Sequence, residues 1–203
     1  SNENPLGASP KALSILAGLE NDLHLYPDGN GTKLKEEIAN HENVPFDNII
    51  IGNGSNEILE LAARAFLNPN ASSIASKHAF AVYKIVTQSA GASLIEVPTC
   101  NWGHDLKSFE DYLESSTRVI FIANPNNPTG TYNSHKEVHS LLKKVPSSIL
   151  VVLDCAYFEY VTKGDYVKPL DLLNRFDNLL ITKTFSKIHG LASIRVGYGI
   201  GNP

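Results

Sequence analysis

Short apolar runs alternate with amphipathic stretches along most of this chain, and that rhythm predicts an α/β fold with a mostly parallel sheet. Runs at 48–51, 73–75, 93–97, 118–122, 149–153 and 179–181 read as strands. The stretches 55–66, 79–90, 106–114 and 134–144 read as the helices between them. Two more helices are predicted upstream, over 10–19 and 32–41, with a turn at Tyr26-Pro27-Asp28-Gly29 before the second. Ser9 offers the first of these an N-cap, and Pro10 suits its first helical position. The last residues follow a further strand-like run, and both ends read as cut from a longer protein.

Composition narrows the class. The 203 residues, 42% hydrophobic and 19% charged, suffice for one good-sized domain or two small ones. Net charge is −4 and the 17 basic residues form no long cluster, so neither nucleic acid nor an anionic membrane is expected as a partner. No apolar run approaches the ~20 residues of a membrane span, and the first ten residues carry no signal-peptide core. Cys100 and Cys155 lie far apart without CxxC spacing, which predicts free thiols in a reducing cytoplasm.

Four segments carry candidate chemistry. Lys187 lies in a polar loop after the run 179–181, with Thr184 and Ser186 just before it and Arg195 eight residues after. Asp154 ends the apolar run 149–153, where a buried carboxylate needs a cation or a donor, and Tyr157 follows three residues on. Asn127 sits in Asn124-Pro125-Asn126-Asn127-Pro128-Thr129-Gly130, a loop held rigid by two prolines and a glycine. Gly52-Asn53-Gly54-Ser55-Asn56-Glu57 lacks the third glycine of a dinucleotide fingerprint, yet suits a phosphate at a helix start. Its plainer reading is a turn with Ser55 as N-cap. In a parallel sheet Asp154, Asn127 and Lys187 would converge on one edge. A pyridoxal phosphate site uses all these groups: an amine, a carboxylate for the pyridine nitrogen, donors to the phenolic oxygen, a stacking ring and a phosphate cup.

In family order, the stretches NENPLG (2–7), YPDGNGTKLKEEIA (26–39), GNGSNE (52–57), NPNNPTG (124–130), DCAY (154–157) and TFSKIHGLASIRVGY (184–198) give the chain its resemblance. It resembles the class I/II aminotransferases of the aspartate-aminotransferase fold (fold type I), most closely their histidinol-phosphate aminotransferase branch. The resemblance implies a three-layer α/β/α large domain with a mostly parallel mixed sheet over 26–203, incomplete at its C-terminal end, after an N-terminal arm and first helix over 1–25. It implies Lys187 as the amine that condenses with pyridoxal phosphate and moves the proton, and Asp154 as partner of the ring nitrogen. Asn127 and Tyr157 would bond the phenolic oxygen, and Phe80 would stack on the ring. Gly54, Ser55, Asn56, Thr184, Ser186 and Arg195 would hold the phosphate, and Tyr26 would reach the neighbouring subunit's phosphate in a homodimer.

The implied substrates are an amino donor and a 2-oxo acid: histidinol phosphate and 2-oxoglutarate, giving imidazole-acetol phosphate and glutamate in histidine biosynthesis. An aromatic or broad-specificity aminotransferase, a threonine-phosphate decarboxylase-like enzyme, and a catalytically silent cofactor-binding module or inactive fragment stay open beside that reading. Relatives carry their substrate clamp on a small C-terminal domain, so this chain alone is expected to bind cofactor weakly and turn over poorly. His135 and His139, spaced i and i+4 without a third ligand, read as a solvated helix face and not as a zinc site. His189 reads as a bystander, Cys155 as a small buried residue, and His78 has no assigned role.

Overall fold

The structure is a computed structural model that describes residues 2–203; Ser1, first residue of the expected arm, lies outside the described residues. In chain order its helices are α1 (Pro10–Leu16), α2 (Thr32–Glu42), α3 (Ser55–Phe66), α4 (Val82–Ser89), α5 (His135–Leu142) and α6 (Pro169–Leu173). The strands are β1 (Ile49–Asn53), β2 (Ser72–Ser76), β3 (Ser93–Val97), β4 (Thr99–Cys100), β5 (Gly103–His104), β6 (Thr117–Ala123), β7 (Leu150–Asp154), β8 (Leu179–Thr184) and β9 (Val196–Gly201).

Seven strands form one sheet in the order β1–β9–β8–β7–β6–β2–β3, with β4 and β5 as a separate hairpin. Within this sheet β9 runs antiparallel to both neighbours and the other pairings are parallel. β6 and β7 are buried on both faces, which is why their sequences are continuous apolar runs instead of alternating ones. Along β6, Ile120 and Ile122 pack toward α2, α5 and α6, while Val119, Phe121 and Ala123 pack toward α3 and α4. Period two thus splits the interior into two cores, and the layers are α/β/α as expected.

The glycines of β9 set how closely α3 lies on the sheet. A Cβ at Gly197 would overlap Ser55 N and Gly54, and one at Gly199 would press on Ile58 and Ile50. The start of α3 is thereby held against β9 and β1, at the edge where the strands end.

Three expectations need correction. The region 106–114 makes only a 3-10 turn, Phe109–Tyr112. Ser108 donates to the Asp105 carboxylate at 2.7 Å, a local bond that competes with helix, and the burial of Leu106 and Phe109 at spacing three suits the tighter turn. The first helix stops at Leu16 and buries no residue, so tertiary packing does nothing to extend it. The helix expected over 79–90 begins only at Val82. Two elements had no expectation: the short α6, started by Pro169, and the β4–β5 hairpin, whose turn residues Asn101 and Trp102 both have positive φ. Among the described residues no helix is long and apolar enough to cross a membrane.

Candidate active site

Register brings the expected residues together. Ala123 stands beside Asp154, Asp154 beside Thr182, Thr184 beside Gly197, and Gly197 beside Gly52. Because β9 runs backwards, its start places Arg195 on the edge where β1, β6, β7 and β8 end. A cleft of about 880 Å³ opens there. Lys187, Asp154, Tyr157, Asn127 and Phe80 line it, together with Ser55, Asn56, Thr184, Ser186 and Arg195. Two expected residues are not on its wall. Gly54 stands behind it with φ +74°, where an added Cβ would run into the Arg195 guanidinium. Tyr26 is fully exposed.

Asp154 is 5% exposed. Tyr83 donates to its Oδ2 at 2.9 Å, Thr182 to its Oδ1 at 3.0 Å, and the Ala156 N–H to Oδ1 at 3.3 Å. Among the described residues no cation lies within ion-pair distance of it. Burial pushes its carboxyl above the usual carboxylate range, against the pull of those hydrogen bonds and of the Lys187 charge. Burial and the neighbouring carboxylate push the Tyr83 phenol well up, so this hydroxyl stays a donor. Tyr83 stacks on Phe121 at 5.0 Å and meets Phe80 edge-on at 5.8 Å, which ties the carboxylate to the aromatic wall.

Lys187 is lightly held. Its Nζ donates to the Asn2 carbonyl at 3.1 Å and lies 5.5 Å from the Tyr157 ring centroid. Asn2 also donates from Nδ2 to the Tyr157 hydroxyl at 2.9 Å, so the N-terminal segment reaches over the lysine loop. A second tie binds Asn4 Nδ2 to the Ile188 carbonyl at 3.0 Å. Gly190, φ +65°, lets Gly7 and Ala8 approach closer than any side chain would permit.

The opposite end of the cleft is built for an anion. Helix α3 starts with Ser55 itself as first residue and Gly54 as cap, so Ser55 is not the N-cap; among the described residues no cap side chain bonds the helix N–H groups, and Glu57 accepts from the Asn53 N–H just before them at 2.6 Å. The helix's first N–H groups and the positive end of its dipole are left to face the cleft. Arg195 donates from Nη1 to the Ala192 carbonyl at 2.8 Å and from Nη2 to the Asn53 carbonyl at 3.2 Å. Its Nη1 also lies 3.4 Å from Ser186 Oγ, which receives the Thr184 hydroxyl at 3.0 Å. Among the described residues no carboxylate is within ion-pair distance of Arg195, and none bonds the Asn127 side chain.

The bystanders are accounted for. His189 packs against Phe185, and His78 holds Thr99 Oγ1 and faces Trp102. His135 stacks on His139, which meets Phe176, so this helix face is partly covered instead of fully solvated. Among the described residues no group of histidine, cysteine and carboxylate side chains could hold a metal. Cys155 is free and buried.

Sequence reading missed Tyr83, Thr182 and Asn2. Thr182 shares the strand face of Thr184 by period two and was legible in principle. Tyr83 carries no signal of its own, since a tyrosine on an apolar helix face reads as core.

The sequence model of the family "Aminotransferase class I and II" matches residues 1–203. Histidinol-phosphate aminotransferase 2 of Pseudomonas fluorescens (strain Pf-5) is 53% identical over 203 residues, all of this chain and 55% of that protein. Histidinol-phosphate aminotransferase 2 of Nitrosospira multiformis is 51% identical over 206 residues, all of this chain and 52% of that protein. The chain therefore spans about half the length of these curated relatives. Among solved structures, histidinol-phosphate aminotransferase from Sinorhizobium meliloti in complex with pyridoxal 5'-phosphate superposes with a TM-score of 0.95 at 28% identity, over all of this chain and 55% of that one.

Proposed function

The chain belongs to the class I and II aminotransferases, and from that premise we propose that it is the pyridoxal phosphate-binding part of a histidinol-phosphate aminotransferase. The reaction would be histidinol phosphate plus 2-oxoglutarate to imidazole-acetol phosphate plus glutamate. The observation that carries this reading is a complementary pair of deficits in one cleft: among the described residues, Asp154 is a buried carboxylate with no cation within ion-pair distance, and Arg195 a guanidinium with no carboxylate within that distance. A cofactor with a protonatable ring nitrogen at one end and a phosphate at the other answers both. Relatives named for this activity, 53% and 51% identical over the whole chain, support the substrate.

When bound, pyridoxal phosphate would supply an electron sink for the pair left when a substrate Cα loses its proton. Asp154 would hold a proton on the ring nitrogen, and a cation there would draw its raised carboxyl back to the ionised form. The hydroxyls of Tyr83 and Thr182 fix the carboxylate's orientation. Asn127 and Tyr157 would bond the phenolic oxygen, and Phe80 would cover one ring face. Ser55 and Asn56 would offer N–H groups to the phosphate, beside the Thr184 and Ser186 hydroxyls and the Arg195 fork, with Gly54 making room for that fork. Lys187, tethered among the described residues to a carbonyl and a ring face, would take the cofactor and carry the proton from the substrate Cα.

Residues 1–25 would act as an arm and residues 26–203 as the cofactor-binding domain. Leu13, Ile15, Leu23 and Leu25 are exposed along that arm, which favours a second copy against it and a homodimer in which Tyr26 reaches the neighbour's phosphate. Free Cys100 and Cys155 are in keeping with a cytoplasmic enzyme.

The test is direct. Added pyridoxal phosphate should give a visible band that borohydride removes, and peptide mapping should find the label on Lys187; a label elsewhere would sink the assignment. Turnover of the full-length protein compared on histidinol phosphate, phenylalanine and threonine phosphate should favour the first.

A further inference from the structure

The geometry points to His104 as a positioning residue: a neutral imidazole strut that joins β2 and β6 beyond their last paired residues and so sets the spacing of the Phe80 and Asn127 walls of the cleft. What the walls hold rests on the cofactor reading above; the strut itself rests on the fold alone.

β2 and β6 are paired only from Ser72 to Ile74 on one strand and from Thr117 to Ile120 on the other, with a register shift inside that span. Both strands run on, β2 to Ser76 and β6 to Ala123, without a further rung between them. His104, 5% exposed, spans this stretch. Its Nε2 is 2.7 Å from the Ala123 carbonyl and its Nδ1 is 2.7 Å from Ser76 Oγ. A carbonyl only accepts, so Nε2 carries the proton. Nδ1 is then left to accept from the Ser76 hydroxyl, and one neutral tautomer satisfies both bonds. Burial also pulls the imidazole below its ordinary value, against the Ala123 carbonyl, which favours the charged ring.

The backbone of the same residue holds a third segment. The His104 carbonyl accepts from Asn133 Nδ2 at 3.1 Å. Asn133 is clasped to Asn124, its N–H donating to Asn124 Oδ1 at 2.9 Å and its carbonyl accepting from Asn124 Nδ2 at 3.0 Å. The loop that carries Asn127 is therefore tied to His104 at both ends, through Ala123 and through Asn133. Ser76 leads in four residues to Phe80, and Ala123 in four to Asn127. Any buried imidazole must satisfy its two nitrogens, but these two bonds go to the ends of the two strands that lead into the cleft-lining segments, which are also joined by Asn126 Nδ2 donating to the His78 carbonyl at 2.7 Å.

The experiment uses the purified protein with and without pyridoxal phosphate, as wild type, His104→Ala, Ser76→Ala and Leu172→Ala. Leu172 is fully buried on α6, takes part in none of the His104 or Asn133 bonds, and controls for lost stability. In the cofactor-free protein, His104→Ala should raise amide exchange in 77–81 and 124–128 by about 10-fold or more. Affinity for pyridoxal phosphate should fall about 10- to 100-fold, and the visible dichroism of bound cofactor should change. Ser76→Ala, which removes one bond only, should move all three readouts the same way by about 3-fold. Leu172→Ala should leave both segments and the affinity within about 2-fold of wild type. Nitrogen NMR of wild type should find His104 neutral with the proton on Nε2. Equal effects from His104→Ala and Leu172→Ala, or the other tautomer, would overturn the strut. A wild-type protein that takes up no cofactor would overturn the cofactor reading instead, while exchange and tautomer would still decide the strut.

Discussion

Lys183 and Lys187 stand four residues apart around the end of β8, and their surroundings are opposite. Lys183 points to the α2 side of the sheet, where its Nζ meets Glu42 at 2.7 Å, Glu159 at 3.3 Å and the face of Phe158 at 4.7 Å. Tyr198 closes the group by donating to Glu42 at 2.6 Å. Lys187 meets one carbonyl and one ring. The strand's alternation explains the divergence: Thr182 and Thr184 face Asp154 and the cleft, so Lys183 between them faces away. A lysine with two carboxylates on it is committed to holding the fold. A lysine with none within ion-pair distance among the described residues is available for chemistry.

The contrast can be broken at several points. Lys187→Ala should abolish the borohydride-fixed label and lower turnover by about 10²- to 10⁴-fold, whereas Lys183→Ala should still take the label; mass mapping separates the two. Asp154→Asn should leave the fold in place but cut turnover on the order of 10²-fold, read by steady-state kinetics and by a shifted cofactor absorbance. Removing Lys183 should cost about 3 kcal/mol in denaturant unfolding, because Glu42 and Glu159 lose their cation, and pairing Lys183→Met with Glu42→Gln should recover much of the loss.

The pair also predicts a pH profile. Burial raises the Glu42 carboxyl, but hydrogen bonds from Lys183 and Tyr198 outweigh it and the net shift is downward. The stability it contributes is present above its ordinary value and lost as pH falls through the lowered one. For Lys183, burial pulls the amine down, yet Glu42 and Glu159 carry it above its ordinary value. Its contribution is present below that value and lost as pH rises through the raised one. Unfolding free energy of wild type should therefore fall at both extremes, and Lys183→Met should flatten the alkaline limb. At the small end stands the exposed Glu60–Arg64 pair at 2.7 Å, for which Arg64→Ala should change stability by less than about 0.5 kcal/mol.

Much of the site is legible in the sequence. Each of Asp154, Asn127 and Lys187 follows a separate apolar run, and parallel strands deliver such residues to one edge. What stays hidden has physical reasons. Tyr83 looks like core because it is core, and only the approach of α4 to β7 turns its hydroxyl onto Asp154. His104 sits in a two-residue strand whose turn depends on left-handed Asn101 and Trp102, conformations that side-chain periodicity does not encode. The missed 3-10 turn at Phe109 follows from a local Ser108–Asp105 bond too short in range to alter the hydrophobic pattern.

By itself the sequence determined the class of fold, the order along the chain of the sheet's strands and of most helices, and the residue types gathered for one chemistry. These follow from periodicity and from motifs whose meaning is local. The tertiary structure alone decided which lysine is paired and which is open. It also decided that Arg195 arrives at the cleft through a reversed strand, and that one histidine bridges strands 28 residues back and 19 residues ahead of it in the chain. Those outcomes depend on register and on contacts between distant segments, where the energy of a group is set by neighbours that the local pattern does not name.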